Sequence, residues 1–91
     1  MPTGGMAAYA ASKAVVASLT QSLAEELAPE GIWVNAIAPS IMDTPKNRAD
    51  MPGADHSRWP KVEEVAAVVA QLASPGNTVA RGAIVPVFGR S

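Results

Sequence analysis

Large apolar residues recur every four positions early in the chain, at Val15, Leu19, Leu23 and Leu27, with smaller or polar residues between them. That spacing is a helical stripe, and it predicts one long helix over residues 6–28. Eight alanines in the same stretch combine high helix propensity with small volume. Ala10, Ala14 and Ala17 offer a flat second face over which another helix can pack. Pro29-Glu30-Gly31 ends the helix. The next run, residues 32–38, is almost continuously apolar and partly β-branched. It predicts a buried strand of a parallel sheet covered on both faces. Residues 39–60 contain Pro39, Pro45, Pro52, Pro60 and Gly53 with several charges and no clear period, which predicts a functional lid. Helical spacing returns over residues 61–74, where Val62, Val65, Ala66, Val69 and Leu72 form the expected apolar face. Pro60 suits the first helical position, and Glu63 and Glu64 complement the positive end of the macrodipole. A last strand is expected at residues 83–88, with Pro86 at an edge, a bulge or the strand's end because it lacks a ladder donor.

The order is helix, strand, lid, helix, strand, which is an α/β pattern and contains the second half of a βαβ unit. Two strands do not make a stable parallel sheet alone, so the pattern reads as part of a larger sheet. With 48% apolar residues and only 16% charged, against a usual charged share of about 25%, the chain has enough for a core, and some of its surface expects a partner. A net charge of −1 with no basic stripe gives no electrostatic footprint for nucleic acid. No apolar run is long enough to span a membrane. Residues 1–5 lack the basic start and apolar stretch of a secretory signal. The absence of cysteine excludes disulfides and thiolate metal sites and fits a reducing compartment, so a cytoplasmic location is expected. His56 is the single histidine and has no clustered ligand partners, so no metal is expected and the residue reads as a solvated loop histidine.

The chemistry is concentrated in Tyr9-Ala10-Ala11-Ser12-Lys13. Residues at i and i+4 share one helix face. An ammonium group beside a phenol favours the phenolate, which brings a tyrosine from its ordinary pKa of about 10 toward a working range. Tyr9 is therefore a candidate proton donor or acceptor at a carbonyl or alcohol oxygen. Taken without their surroundings, the two residues are equally a surface pair with no chemistry.

The surroundings carry a resemblance. Tyr9 and Lys13, the following Ser22-Leu23-Ala24-Glu25-Glu26-Leu27-Ala28, the run Val34-Asn35-Ala36-Ile37-Ala38-Pro39 and the closing Gly82 to Gly89 segment together resemble the C-terminal half of a short-chain dehydrogenase/reductase. The resemblance runs over nearly the whole chain in the right order. It implies a partial Rossmann-like fold, a doubly wound parallel sheet whose N-terminal cofactor-binding half is absent from these residues. It implies an NAD- or NADP-dependent oxidoreductase acting on a small carbonyl or alcohol. By resemblance Tyr9 is the catalytic acid–base, and Lys13 holds the nicotinamide ribose and tunes the tyrosine. Pro39, Ser40 and Ile41 would pass over the nicotinamide, and Thr44 would contact the cofactor. Ser40 stands where the family usually has glycine and removes that residue's freedom to adopt positive φ. The segment from Asp43 to Trp59 also resembles the corresponding loop of dihydropteridine reductases.

Other parts of the family pattern are missing. The glycine-rich turn that receives a pyrophosphate after the first strand has no counterpart here, because Gly4-Gly5 is not followed by a strand-to-helix crossing. The residue that reads the adenosine ribose is missing, and no serine precedes Tyr9 to complete a catalytic set. Ser12 lies between the pair on another part of the helix. The chain is thus expected to be inactive alone, and to form a homo-oligomer or to need a complementary N-terminal half. The competing reading is a non-catalytic remnant or interaction module associating through its helix face and open sheet edge. Asn35 reads as a structural hydrogen-bonder, Asp43 and Asp55 as solvated or turn-forming, and Arg48 and Arg58 as solvated lid charges. Trp33 and Trp59 read as packing residues, and Met42 and Met51 as lid packing or the lining of an apolar pocket.

Overall fold

Helix α1 spans Thr3–Leu27, longer at its start than the spacing of its large side chains requires. The computed structural model describes residues 3–91, with side chains described from residue 7 onward. Met1 and Pro2, part of the segment weighed above as a possible signal, lie outside the described residues. A short 3-10 turn at Ala28–Glu30 follows, with Pro29 in its first positions, and Gly31 at φ 74° closes it by donating its N–H to the Ala28 carbonyl at 2.9 Å. A left-handed residue at this point costs glycine nothing, and it turns the chain out of the helix.

Strand β1 is Ala36–Pro39 and strand β2 is Ile84–Val87, and together they form a two-stranded sheet. Bonds from the Ala36 N–H to the Ala83 carbonyl and from the Ser40 N–H to the Val87 carbonyl advance in step along both strands, so the pair is parallel. The chain is a small α/β domain with an open parallel sheet, the arrangement of a partial Rossmann fold. The register explains Pro86. The accepting carbonyls are those of Ala83, just before β2, and Val87, two alternations apart, and Pro86 falls between, where its missing N–H faces away from β1. Residues 32–35, expected in the first strand, are outside it. Opposite them Gly82, at φ 70°, still donates its N–H to the Val34 carbonyl at 2.8 Å, but its left-handed backbone breaks the regular ladder. The Asn35 side chain substitutes for the ladder: its Oδ1 accepts the Ala83 N–H at 3.0 Å, and its Nδ2 donates to the Ala80 carbonyl at 3.0 Å.

The described chain divides into two units, residues Met1–Ala36 with Ala80–Ile84, and Ile37–Val79 with Val85–Ser91. In the first, the buried residues of α1 are Thr20 and Ala24. Thr20 returns its hydroxyl proton to the Val16 carbonyl at 2.7 Å, which satisfies a buried polar group within the helix. A Cβ on Gly82 would meet the Ala24 Cβ at 3.4 Å, so segment 80–84 approaches α1 at its smallest side chains. The buried face of α1 is therefore not centred on the stripe of large side chains. Val15 is 65% exposed and Leu19 55% exposed, because the closely approaching backbone selects small residues and not the bulky row beside them.

In the second unit the buried residues are Trp59, Pro60 and Val65. The lid is not structureless. Helix α2 spans Pro45–Asp50, and a 3-10 turn covers His56–Arg58. Thr44 caps α2 by accepting the Asn47 N–H at 3.1 Å, and Pro45 stands at its first positions. Asp55 caps the 3-10 turn, its Oδ1 accepting from the Ser57 N–H and hydroxyl. Helix α3 is Val62–Ala73, so Pro60 lies before the helix and not at its first position. Lys61 is the cap residue, with its N–H donating to the Glu64 carboxylate at 2.8 Å. The Pro60 carbonyl accepts the Asp43 N–H at 2.8 Å beside a parallel bridge linking Asp43 to Lys61. That strand-like geometry pulls Pro60 out of the helix. Of the expected α3 face, Val65 is buried and Leu72 half-buried, while Val62 and Val69 are 47% and 45% exposed.

Candidate active site

Tyr9 and Lys13 lie in the first unit on one face of α1, with the Lys13 Nζ 5.2 Å from the centroid of the Tyr9 ring. That is cation–π distance, and it follows from the i, i+4 spacing on an uninterrupted helix. Tyr9 is 56% exposed, so its hydroxyl is open to a reactant. Ser12 is exposed as well.

The other residues singled out from the sequence lie in the second unit. Pro39 is the last residue of β1. The Ser40 N–H continues the ladder to the Val87 carbonyl at 3.3 Å, and its hydroxyl lies 3.2 Å from the Phe88 carbonyl and 2.8 Å from the Ser91 hydroxyl. Its side chain is thereby taken up by the end of the chain. Ile41 is 40% exposed. The Thr44 hydroxyl accepts one bond from the Asn47 N–H, and its own proton is still available to donate. Of the named residues, the structure brings Tyr9 and Lys13 together in one unit, and groups Pro39, Ser40, Ile41 and Thr44 along one continuous stretch of the other.

Several lid residues differ from the solvated loop read above. Arg48 grips Asp43 with both ends of its guanidinium, Nε to Oδ1 and Nη2 to Oδ2, the latter at 2.9 Å. The hydrogen bonds from Arg48 hold the Asp43 carboxyl below its ordinary value of 3.8, and they raise the guanidinium in turn. Asp55 is also held low, chiefly by the Ser57 hydroxyl and then by its N–H. The Arg58 Nε donates to the Arg90 carbonyl at 3.2 Å. His56 is half-buried: its Nε2 is 2.7 Å from the Met51 carbonyl, and its ring lies 4.6 Å from that of Trp59. The Met42 carbonyl accepts from the Asn47 side chain at 2.9 Å. Sequence patterning missed α2 and the contacts around it, although Thr44-Pro45 is a legible pairing of a cap with a first-position proline. Among the described residues, no group of His, Cys, Asp and Glu could hold a metal ion, and no helix is long and apolar enough to cross a membrane.

Comparison with known proteins places this geometry. Residues 1–89 match a family described as enoyl-(acyl carrier protein) reductase. The chain is 41% identical over 96 residues to the cyclic-di-GMP-binding biofilm dispersal mediator protein of Escherichia coli, covering 98% of this chain and 40% of that protein. It superposes on a Serratia marcescens short-chain dehydrogenase/reductase mutant with a TM-score of 0.80 at 32% identity, covering 99% of this chain and 40% of the other. This chain belongs to the short-chain dehydrogenase/reductase family. It spans about two fifths of the length of these family members. A 3-oxoacyl-[acyl-carrier protein] reductase of Brucella melitensis, solved with bound NAD, is similar at a TM-score of 0.73 and 36% identity over 89% of this chain and 32% of that one. The similar structure of ElxO holds NADP. None of these comparisons singles out the lid as dihydropteridine reductase-like.

Proposed function

We propose that this chain carries the catalytic-helix portion of an NAD(P)-dependent short-chain oxidoreductase that interconverts a small carbonyl compound and its alcohol. The observation that carries this reading is the exposed Tyr9 with the Lys13 ammonium over its ring. A bound nicotinamide nucleotide supplies or accepts the hydride at the carbonyl carbon. Tyr9 gives its hydroxyl proton to the carbonyl oxygen as that oxygen gains charge, or takes the proton from the alcohol in reverse. Lys13 contributes a fixed positive charge beside the reacting oxygen and donors for ribose hydroxyls.

Each unit taken by itself offers groups whose chemistry suits the nicotinamide end of such a nucleotide. In the first, Lys13 brings ammonium donors; in the second, Thr44 keeps one hydroxyl proton to give, and the backbone at Pro39–Ile41 lies at the end of a parallel strand, where open α/β sheets bind ligands. Ser40 contributes backbone only, since its hydroxyl is engaged with residues 88 and 91. No glycine-rich pyrophosphate turn occurs in these 91 residues, so that end of the nucleotide calls for a complementary segment.

The test is NADPH-linked carbonyl reduction by this chain together with a polypeptide supplying the N-terminal half of a relative's domain. Turnover should appear in the mixture and vanish with Tyr9→Phe. Turnover unchanged by that substitution would end this reading.

A second reading is favoured by a separate observation. Val15, Val16 and Leu19 are 65%, 52% and 55% exposed on one stretch of α1, and β1 has no second neighbouring strand among the described residues. An apolar patch and a free strand edge are association surfaces. In this reading the chain is a non-catalytic module or a homo-oligomer held by those surfaces. Sedimentation that depends on concentration, without any saturable NADPH signal in the presence of the complementary half, would favour it.

A further inference from the structure

The end of the chain and the end of the lid meet at a point where only hydrogen fits. Gly89 has φ 63°, and a Cβ there would lie 2.9 Å from the Pro60 nitrogen and 3.1 Å from the Arg58 carbonyl oxygen. Both are backbone atoms, so no change of rotamer relieves the clash. Bonds flank this contact. The Arg90 N–H donates to the Arg58 carbonyl at 2.9 Å, and the Arg58 Nε donates back to the Arg90 carbonyl. At the other end of the lid, the Ser40 hydroxyl meets the Phe88 carbonyl and the Ser91 hydroxyl. The Ser91 hydroxyl itself donates to the Phe88 carbonyl at 2.6 Å. Residues 88–91 therefore hold both roots of the lid, Ser40 at its entry and Arg58–Pro60 at its exit. Pro60, the residue Gly89 packs against, is fully buried, and its carbonyl holds the Asp43 N–H across the lid's base.

We propose that the last four residues of this chain form a strap that keeps the lid ordered before any ligand arrives. A lid that orders only on binding charges its conformational entropy against affinity. A lid strapped by its own chain meets that cost at folding, and cofactor or substrate then closes on a preset surface. The consequence for catalysis rests on the oxidoreductase reading, whereas the strap itself does not.

Hydrogen exchange on the 91-residue chain, without nucleotide or substrate, tests it. The lid amides of Asp43 and Trp59, bonded to Pro60 and His56 carbonyls, should be protected in the parent chain. Gly89→Ala should speed their exchange roughly tenfold or more, the scale of a side chain forced into an incompatible conformation. A chain ending at Gly89, which removes Arg90 and Ser91 and forces no clash, should do the same in direction. Peptides from α1 should be unchanged in both. Unprotected lid amides in the parent chain, unchanged lid exchange in the variants, or equal acceleration of α1 and the lid would each overturn the strap. Because no nucleotide enters the readout, its failure leaves the Tyr9 reading standing. Failure of the Tyr9→Phe assay likewise leaves the strap standing.

Discussion

Two regions of this molecule, helix α1 and the lid, each bring a cation to an oxygen-bearing side chain, and they leave it in opposite states. On α1, Lys13 lies over the ring of Tyr9 while both remain exposed and, among the described residues, the phenol has no hydrogen-bond partner tying it down. In the lid, Arg48 closes on Asp43 with two hydrogen bonds, and Thr44 and Asn47 are drawn into the same cap. The difference is between a pair held by helix spacing and a pair held by mutual bonding. A helix presents two groups side by side without satisfying them, so they remain available to a third molecule. A capped turn consumes its polar groups, so they stabilise the lid and leave little chemistry over. Charge and proximity, present in both, do not distinguish a reactive site from a structural one, whereas unspent hydrogen-bonding capacity does.

That contrast can be broken experimentally, beginning with the exposed pair, to which the proposed function gives a catalytic role. Tyr9→Phe keeps the ring under Lys13 and removes only the hydroxyl, so reconstituted turnover should fall by about 10²–10⁴-fold, the usual worth of a positioned acid–base group. Asp43→Asn, by comparison, should leave turnover per folded molecule nearly unchanged and alter lid order instead. A smaller effect belongs to packing. Ala24→Leu places a large side chain where Gly82 approaches, and it should destabilise the chain by about 1–3 kcal/mol in chemical denaturation. Next comes pH. Arg48 holds the folded Asp43 carboxyl below 3.8, so the pair's contribution is complete above that value and is lost as pH falls through the depressed one. The difference in chemical-denaturation stability between the parent and Arg48→Gln chains should stay flat from neutral pH to about 4 and shrink only below it. The smallest effect is expected for Leu19→Ser on the exposed row of α1. Monomer stability should move by no more than about 0.5 kcal/mol, while any concentration-dependent assembly through that patch should weaken.

Where sequence patterning succeeded and where it stopped follows the range of the forces involved. Tyr9 and Lys13 were legible because i, i+4 proximity is a property of any continuous helix, and the alanine-rich run makes the helix. The α/β order was legible because runs of apolar and β-branched residues alternate with helical spacing. The inward face of α1 was not. Periodicity locates a stripe of large side chains, but the close approach of segment 80–84 favoured Thr20 and Ala24. Trimming of the first strand to Ala36–Pro39 was also hidden, because it depends on Gly82 turning at positive φ opposite residues 32–35. The lid was read as irregular for want of a long period, although its short helix is set by caps that act over three residues.

By itself, then, the sequence determined what is local: a long helix with Tyr9 and Lys13 on one face, the succession of elements, and the family they belong to. Tertiary structure decided what depends on approach between distant segments, namely which small residues of α1 are buried and which cations are already spent. It also decided that residues 88–91 lie against Ser40 and Pro60. Local bonding is written in neighbouring residues, whereas the contact at Gly89 exists only because the fold brings the backbone of Arg58 and Pro60 to where a Cβ at position 89, about thirty residues further along the chain, would sit.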